Sequence, residues 1–337
     1  MTNPNVSIII PCRNEEKYIS KCVNSILNQD YTGEIEVLVV DGMSDDKTRE
    51  IVQNFNNPKV RLIDNPHQFT PHAMNIGLRE ASYDLIIRID AHAIALPSFI
   101  QNNVNSIFES EEIMCAGGKI INVYENKISR SIGLAMSSVF GVGNATFRVG
   151  GEKKFVDTLA FGIYKKEVFD KIGIFDEDLI RNQDDELNFR LIKSGYKILY
   201  NPDIQSEYYV RGSIKKLFKQ YYQYGYWKVY VNKKHKTITT VRQMIPLFFV
   251  LGLMFGAILS FIVPYFVWLF LGGISMYVLL ALYFGIKSAK NITESLKVAL
   301  IFPILHFSYG WGYLTGIFNF IILGKKPSKR SKAITRD

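Results

Sequence analysis

The chain has 337 residues, 48% of them hydrophobic, with 40 Lys and Arg against 31 Asp and Glu and a formal net charge of +9. The apolar share is near the globular average, so it does not by itself signal a membrane protein. Three cysteines (Cys12, Cys22 and Cys115), odd in number and without metal-type spacing, argue against a disulfide framework and fit a reducing compartment. Met1–Val6 has no basic n-region and Ser7–Pro11 is too short for an h-region, so the N-terminal part is expected to stay on the side of the membrane where it is made.

In chain order, Val6–Ile10 is a short apolar run ended by Pro11 and reads as a buried strand. Residues 15–28 carry apolar positions at helical spacing, Ile35–Val40 is a second buried strand ending at Asp41, and Asp45 or Asp46 caps a helix through Phe55. Val60–Ile63 is a third strand, Thr70 or Pro71 opens a helix through Ala81, and Asp84–Ile89 is a fourth strand ending at Asp90. Such alternation predicts a parallel α/β sheet packed on both faces, where ligands bind beyond the carboxyl ends of the strands. Pro11–Glu15, Asp41 and Asp90 all fall at those ends.

The composition changes before Met244. Met244–Ile286 has no charged side chain and is interrupted by Pro264, which predicts two spans, about 244–263 and 265–286. A third segment, 296–323, carries only Lys297 as a charge and holds Pro303 and His306, so it reads as a long, broken or partly re-entrant helix. Basic residues flank this region. Arg211–Arg242 holds nine Lys or Arg and no carboxylate, and the tail 324–337 is basic as well. Basic flanks mark the cytoplasmic face and attract anionic headgroups. Three full crossings would put the tail outside, whereas two crossings with a re-entrant third segment keep it inside. Because membrane adjacency accounts for the charge, no nucleic-acid partner is expected. The expected organisation is a catalytic domain over 1–210, a basic aromatic interfacial segment over 211–243, a membrane region over 244–323 and the tail.

Four motifs carry chemistry. Val-Ser-Ile-Ile-Ile-Pro-Cys-Arg-Asn-Glu-Glu (6–16) is followed one βα unit later by Val-Val-Asp-Gly-Met-Ser-Asp-Asp-Lys-Thr (39–48), then by Ile-Arg-Ile-Asp-Ala-His-Ala (87–93), and then by Arg-Asn-Gln-Asp-Asp-Glu-Leu-Asn-Phe-Arg-Leu-Ile-Lys-Ser-Gly-Tyr (181–196). In this order they resemble glycosyltransferase family 2, within it the succinoglycan-type exopolysaccharide transferases. The resemblance implies a GT-A fold, a Rossmann-like, mostly parallel sheet with helices on both faces, here followed by a C-terminal helical membrane region. It implies that Pro11, Arg13 and Glu15 line the nucleoside pocket and that Asp41 accepts a hydrogen bond from the base; the plainer alternative makes Asp41 a turn residue before Gly42. Most of the family has Asp-x-Asp where this chain has Asp90-Ala91-His92. Asp90 is then expected at ribose and metal, and His92 at the metal, a divalent cation, Mn or Mg; imidazole suits Mn better.

In the fourth motif Gln183 stands at the family's Glu and Asp184 at its Asp. An inverting transfer needs one carboxylate to take the proton of the attacking hydroxyl. Asp184 is the expected base and Asp185 the second choice, with a solvated helix start as the plain alternative for both. Arg190 is expected to pair with one of the clustered acids Asp184, Asp185 and Glu186 or to sit on the helix face, and is also a candidate for acceptor or diphosphate contact. Beyond it, Arg211, Lys219, Gln220 and Trp227 are further candidates for acceptor or diphosphate contacts. The Gln-x-x-Arg-Trp motif of processive members is absent, which argues against a processive synthase. The expected function is an inverting, metal-dependent glycosyltransferase moving a sugar from a nucleotide-sugar, a UDP-sugar by preference, to a polyprenyl-linked glycan in exopolysaccharide or capsule biosynthesis, as a multi-pass protein of a bacterial-type cell membrane with its catalytic domain cytoplasmic. A polyprenyl-phosphate hexose synthase, a nucleotidyltransferase and a catalytically inactive membrane scaffold are the competing readings.

Overall fold

The computed structural model describes residues 3–210 and 212–327. Arg211 and most of the basic tail lie outside the described residues. In chain order the elements are β1 (Val6–Cys12), α1 (Ile19–Leu27), β2 (Ile35–Asp41), α2 (Thr48–Gln53), β3 (Val60–Asp64), α3 (Thr70–Glu80), β4 (Leu85–Arg88), β5 (Ala93–Ala95), α4 (Phe99–Ile107), β6 (Ile113–Val123), α5 (Lys127–Met136), α6 (Val139–Val142) and α7 (Thr146–Val149). Then come β7 (Lys154–Phe155), β8 (Gly162–Lys165), α8 (Glu167–Ile172), α9 (Gln183–Lys193), β9 (Lys197–Tyr209), α10 (Ile214–His235), α11 (Ile245–Ile262), α12 (Phe266–Ser288) and α13 (Ile292–Gly316). They form two compact units, one of Met1–Asn122 with Thr146–Tyr209, the other of Val123–Ala145 with Val210–Asp337.

The first unit is built on a sheet of order β3-β2-β1-β4-β8-β6-β9-β5, with β7 beside β9. β1 to β4 pair in parallel, whereas β8 runs antiparallel to β4 and β6, and β5 and β7 run antiparallel to β9. The apolar runs Val6–Ile10 and Val37–Val40 are buried because helices cover the sheet. β1 continues past Pro11, which the sequence reading took as its end. The β1–β4 ladder stops at Ile9, so Pro11 has a neighbour only in β2 and its missing N–H breaks no bond to β4. α1 begins at Ile19 rather than at residue 15, because Asn14 takes a left-handed backbone (φ 55°) and Glu15 closes a turn onto Tyr18 and Ile19. Where β6 crosses β9 the backbones are in direct contact. A Cβ on Gly118 would run into the carbonyl oxygens of Ile204 and Asn201.

The second unit contains two helical stretches long and apolar enough to cross a membrane, Val241–Ile262 and Phe266–Ser288, with only 17% and 11% of their apolar windows buried. Apolar side chains left this bare in water would be costly, whereas lipid tails accept them. α13 is different. It runs unbroken through Pro303 into a π-helical turn, Ile317–Ile322, and buries one whole side against α10, α11 and α12. Glycines make that approach possible: Gly312 and Gly316 lie on the carbonyls of Tyr222 and Tyr226, and Gly225 on that of Tyr309. Residues 123–145 join this unit through Phe140, whose ring stacks on Phe284 and meets Phe302 edge-on, and through the ion pair of Arg130 with Glu294.

The β6–β9 contact leaves no volume for a larger side chain. Gly118→Val is expected to destabilise the first unit by about 3 kcal/mol, read as a fall in the thermal midpoint of the detergent-solubilised chain; a wild-type midpoint would refute the close approach.

Candidate active site

The carboxyl ends of β1 and β2 are tied together by loops that exchange side chain–backbone hydrogen bonds. The backbone N–H groups of Asn14, Glu15 and Glu16 donate to Ser44 Oγ, Thr48 Oγ1 and Asp46 Oδ2 at 2.8, 2.8 and 3.1 Å. In return the N–H groups of Asp45 and Lys47 donate to Asn14 Oδ1 and Glu16 Oε2, both at 3.1 Å. Asp46 also receives the N–H of Thr48, the first residue of α2 (2.9 Å), but the N-cap position itself falls on Lys47 rather than on Asp45 or Asp46, and α2 ends at Gln53. The motif residues Asn14, Ser44, Asp46 and Thr48 therefore hold the two strand-end loops in shape.

Asp41 is fully buried at the end of β2. It accepts from the Ser44 N–H (2.9 Å), the Ser44 hydroxyl and Arg49 Nη1 (2.8 Å). Arg49 in turn reaches Asp64 at the end of β3 (2.8 Å). Burial first, and then the charge of Asp41, push the Cys12 thiol well up, so it stays protonated and donates to Asp41 (3.6 Å). Asp41 thus shapes the turn and is also placed at the strand end. Arg13 packs its stem on Gly42, and its Nε is buried without a hydrogen-bond partner.

Asp90 and His92 lie in the short turn from β4 to β5. His92 Nδ1 meets Glu15 Oε1 at 3.0 Å, and its ring stands edge-on to Tyr208, 5.0 Å between centroids. An imidazole with one nitrogen held by a carboxylate and the other left for a ligand is the arrangement seen around bound metals. Among the described residues no group of three His, Cys, Asp or Glu side chains is disposed to hold an ion alone. Asp90 and His92 would offer a divalent cation one carboxylate and one imidazole, an oxygen–nitrogen set that suits Mn.

The residue that joins these parts is Arg88, which sequence reasoning passed over. It is the last residue of β4 and only 6% exposed. Its Nη2 donates to Asp90 Oδ1 (3.1 Å), and its Nη1, otherwise without a partner, faces Asp184 Oδ2 at 3.7 Å. Desolvation works against the charge on Arg88, but Asp90 and Asp184 outweigh it and raise its pKa, so the guanidinium stays charged. An arginine in the otherwise apolar strand Leu-Ile-Ile-Arg was the available signal, since such a residue is buried only when paired. Arg49 left no comparable sign in the sequence.

Asp184 stands in the first turn of α9, where negative charge is favoured. About a third of its side chain is open (31%), yet desolvation pushes its carboxyl above the usual range, against the pull of Arg88 and with help from Asp185. Beside it, Gln183 is buried, with its amide oxygen unpaired. A desolvated carboxylate at a partly open helix start, next to an unused acceptor, is suited to meet a hydroxyl group.

The structure does not bring all candidates together. Arg190 is spent inside the fold: it pairs with Glu186 (2.8 Å) and donates to the carbonyls of Ile172, Gly173 and Ile174, so it fastens the 172–174 turn to α9 rather than awaiting a substrate. Lys219, Gln220 and Trp227 belong to the second unit. Gln220 is buried and bonds Tyr224, and Trp227 is 1% exposed against Tyr226 and Phe320, because α10 turns that face onto α13. Gln220 and Trp227 are thus engaged in packing within that unit.

Residues 7–173 match the family described as Glycosyl transferase family 2. The chain is 34% identical over 336 residues to the dolichyl N-acetyl-alpha-D-glucosaminyl phosphate 3-beta-D-2,3-diacetamido-2,3-dideoxy-beta-D-glucuronosyltransferase of Methanococcus voltae, covering 96% of this chain and 99% of that one. It is 29% identical over 282 residues to the succinoglycan biosynthesis protein ExoA of Rhizobium meliloti, covering 80% and 83%. Among solved structures, the mannosyltransferase of Pyrobaculum calidifontis in complex with GDP-Man and Mn2+ superposes with a TM-score of 0.59 over 97% of this chain and 89% of that one, at 17% identity, which speaks to fold. The near end-to-end match with the Methanococcus voltae enzyme, over a GT-A-like mixed sheet with its carboxylates at the strand ends, places this chain in glycosyltransferase family 2.

Proposed function

We propose that the chain is an inverting glycosyltransferase that moves a sugar from a nucleotide-sugar, a UDP-sugar by preference, onto a hydroxyl of a polyprenyl-phosphate-linked glycan, at a membrane where the second unit anchors it. The observation that carries this reading is the Asp90–Arg88–Asp184 group, in which a leaving-group side and a base side share one buried cation. The acceptor class is supported by the Methanococcus voltae relative, whose name specifies a dolichyl phosphate carrying a sugar, and a role in exopolysaccharide assembly by the Rhizobium meliloti one. The basic stretch 211–242 beside the apolar helices favours a cytoplasmic catalytic unit.

In this mechanism the loops after β1 and β2 hold the nucleoside, with Pro11, Arg13, Glu15 and Asp41 around it. Asp90 and His92 would hold a divalent cation, which when bound would supply positive charge to the diphosphate leaving group. Asp184 accepts the proton of the acceptor hydroxyl as its oxygen bonds to the anomeric carbon and the nucleoside diphosphate leaves from the opposite face. Desolvation strengthens Asp184 as a base, while Arg88 keeps it ionised and oriented. Glu15 fixes the ring of His92. A polyprenyl-phosphate hexose synthase would need no base, because its nucleophile is already an anion.

Asp184→Asn is therefore expected to lower kcat by about 10²- to 10⁴-fold while UDP binding, measured by calorimetry with Mn, stays as in wild type. Only a modest loss would favour the polyprenyl-phosphate synthase. Because a general base must be ionised and the Asp184 carboxyl is raised, the acid limb of kcat should lie above the ordinary aspartate value of about 3.9; a limb at or below that value would count against Asp184. The donor side has its own check in a calorimetric screen of UDP, GDP, CDP and ADP. Metal-dependent UDP binding that disappears in Asp41→Ala and Asp90→Ala is the expected outcome, and no binding of any nucleotide would leave the strand-end carboxylates structural.

A further inference from the structure

One cation near the site has no use in that mechanism. Arg148, in α7, lies over the ring of Tyr208 at 5.8 Å and over that of Phe147 at 5.4 Å, and its Nη1 is buried without a hydrogen-bond partner. Tyr208 is the residue whose ring meets His92, because β9 pairs Tyr208 with Ala93. Two residues beyond Arg148 the chain turns through Gly150 and Gly151, with φ of 85° and 147°. The Lys119 ammonium, from β6, lies against the first glycine, 3.5 Å from where a Cβ would stand. The Lys154 ammonium lies against the second, at 3.8 Å on the same measure. None of the three pairs with a carboxylate among the described residues.

A buried guanidinium nitrogen with no acceptor forfeits its solvation, and unpaired cations gathered around one glycine turn repel each other. Stacking on Tyr208 fixes the plane of the guanidinium but does not satisfy its N–H donors. An oxyanion would resolve both problems, and the arginine fork suits phosphate. The topology says which substrate would bring it. The loops holding Asp41 and Glu15 follow β1 and β2, whereas Lys119 and Tyr208 lie on β6 and β9, in the other half of the sheet beyond β4. Between the two halves sits the turn carrying Asp90 and His92. An anion at Arg148 would thus lie across that turn from the nucleoside, on the acceptor side.

We propose that Arg148 and Lys119, with Lys154 adding to the field, bind the phosphate that joins the acceptor sugar to its lipid. This rests on the transferase reading above and extends it to a second oxyanion site, distinct from the one for donor diphosphate. Glycine suits position 150 because its left-handed backbone (φ 85°) disfavours a side chain.

The test uses the full chain in detergent and four probes: farnesyl phosphate, farnesol, UDP with Mn, and UDP-glucuronate with Mn. Arg148→Gln is expected to weaken farnesyl phosphate at least about tenfold, to leave farnesol and UDP unchanged, and to be partly restored in Arg148→Lys. Lys119→Gln should act in the same direction and more weakly, and it decides the matter should Arg148→Gln also lose UDP binding through misfolding. Unchanged farnesyl phosphate affinity in variants that still bind UDP would overturn the acceptor site while sparing the transferase reading. A loss confined to UDP-glucuronate would assign the cations to a donor carboxylate and overturn the proposal. A wild-type chain that binds neither UDP nor farnesyl phosphate would remove both.

Discussion

A charged guanidinium under the middle of a sheet must be answered by carboxylates, and in this protein that requirement organises the site. Arg88 ends β4, a strand with neighbours on both sides, and is almost wholly out of water. Leaving it unpaired would cost several kcal/mol. It therefore draws Asp90 from its own turn and Asp184 from the start of α9 to its two ends. These carboxylates are far apart in sequence, and in the proposed mechanism they serve different tasks, one toward the leaving group and the other toward the attacking hydroxyl. Holding both from one cation makes their spacing a property of the folded core rather than of mobile loops.

Around that centre the rim is built by exchange of hydrogen bonds between the β1 and β2 loops. Each of Asn14, Ser44, Asp46 and Thr48 satisfies a backbone N–H of the other loop or of the adjoining helix start. Buried or half-buried amides need such partners, and these motif positions supply them. The small polar residues at these spacings thus have a mechanical role. Asp41 illustrates the overlap, since the carboxylate that accepts from Ser44 to close the turn also ends the strand where a nucleoside would lie.

In the second unit, a helix of mixed composition packs beside two apolar ones that are candidate membrane spans. α13 carries Glu294 and Lys297, yet it packs closely because glycines let its backbone meet α10 and α11. His306 lies in the same packing, with Tyr277 on one ring nitrogen and the Phe140 carbonyl on the other. Arg130 answers Glu294 from α5. Glu294 and His306 are therefore met inside protein, while α11 and α12 keep their apolar sides outward.

By itself, the sequence determined the features that depend on local pattern. The parallel β1–β4 core, with its strand-end carboxylates, was legible because buried strands read as unbroken apolar runs ended by polar turns. The two apolar helices were legible because length and hydropathy suffice, and the family was legible because four motifs occur in order. Whatever depends on partners distant along the chain was decided only in three dimensions. That Arg190 fastens a turn, that Trp227 lies in the α10–α13 packing, and that residues 123–145 join the helical unit all follow from contacts between remote segments. The same holds for the bridge from Asp90 through Arg88 to Asp184 and for the stacking of Arg148 on Tyr208. Periodicity reports which face of an element is buried, but the identity of the group waiting there is set by tertiary packing, and only that packing says whether a charge is answered within the chain or left for a substrate.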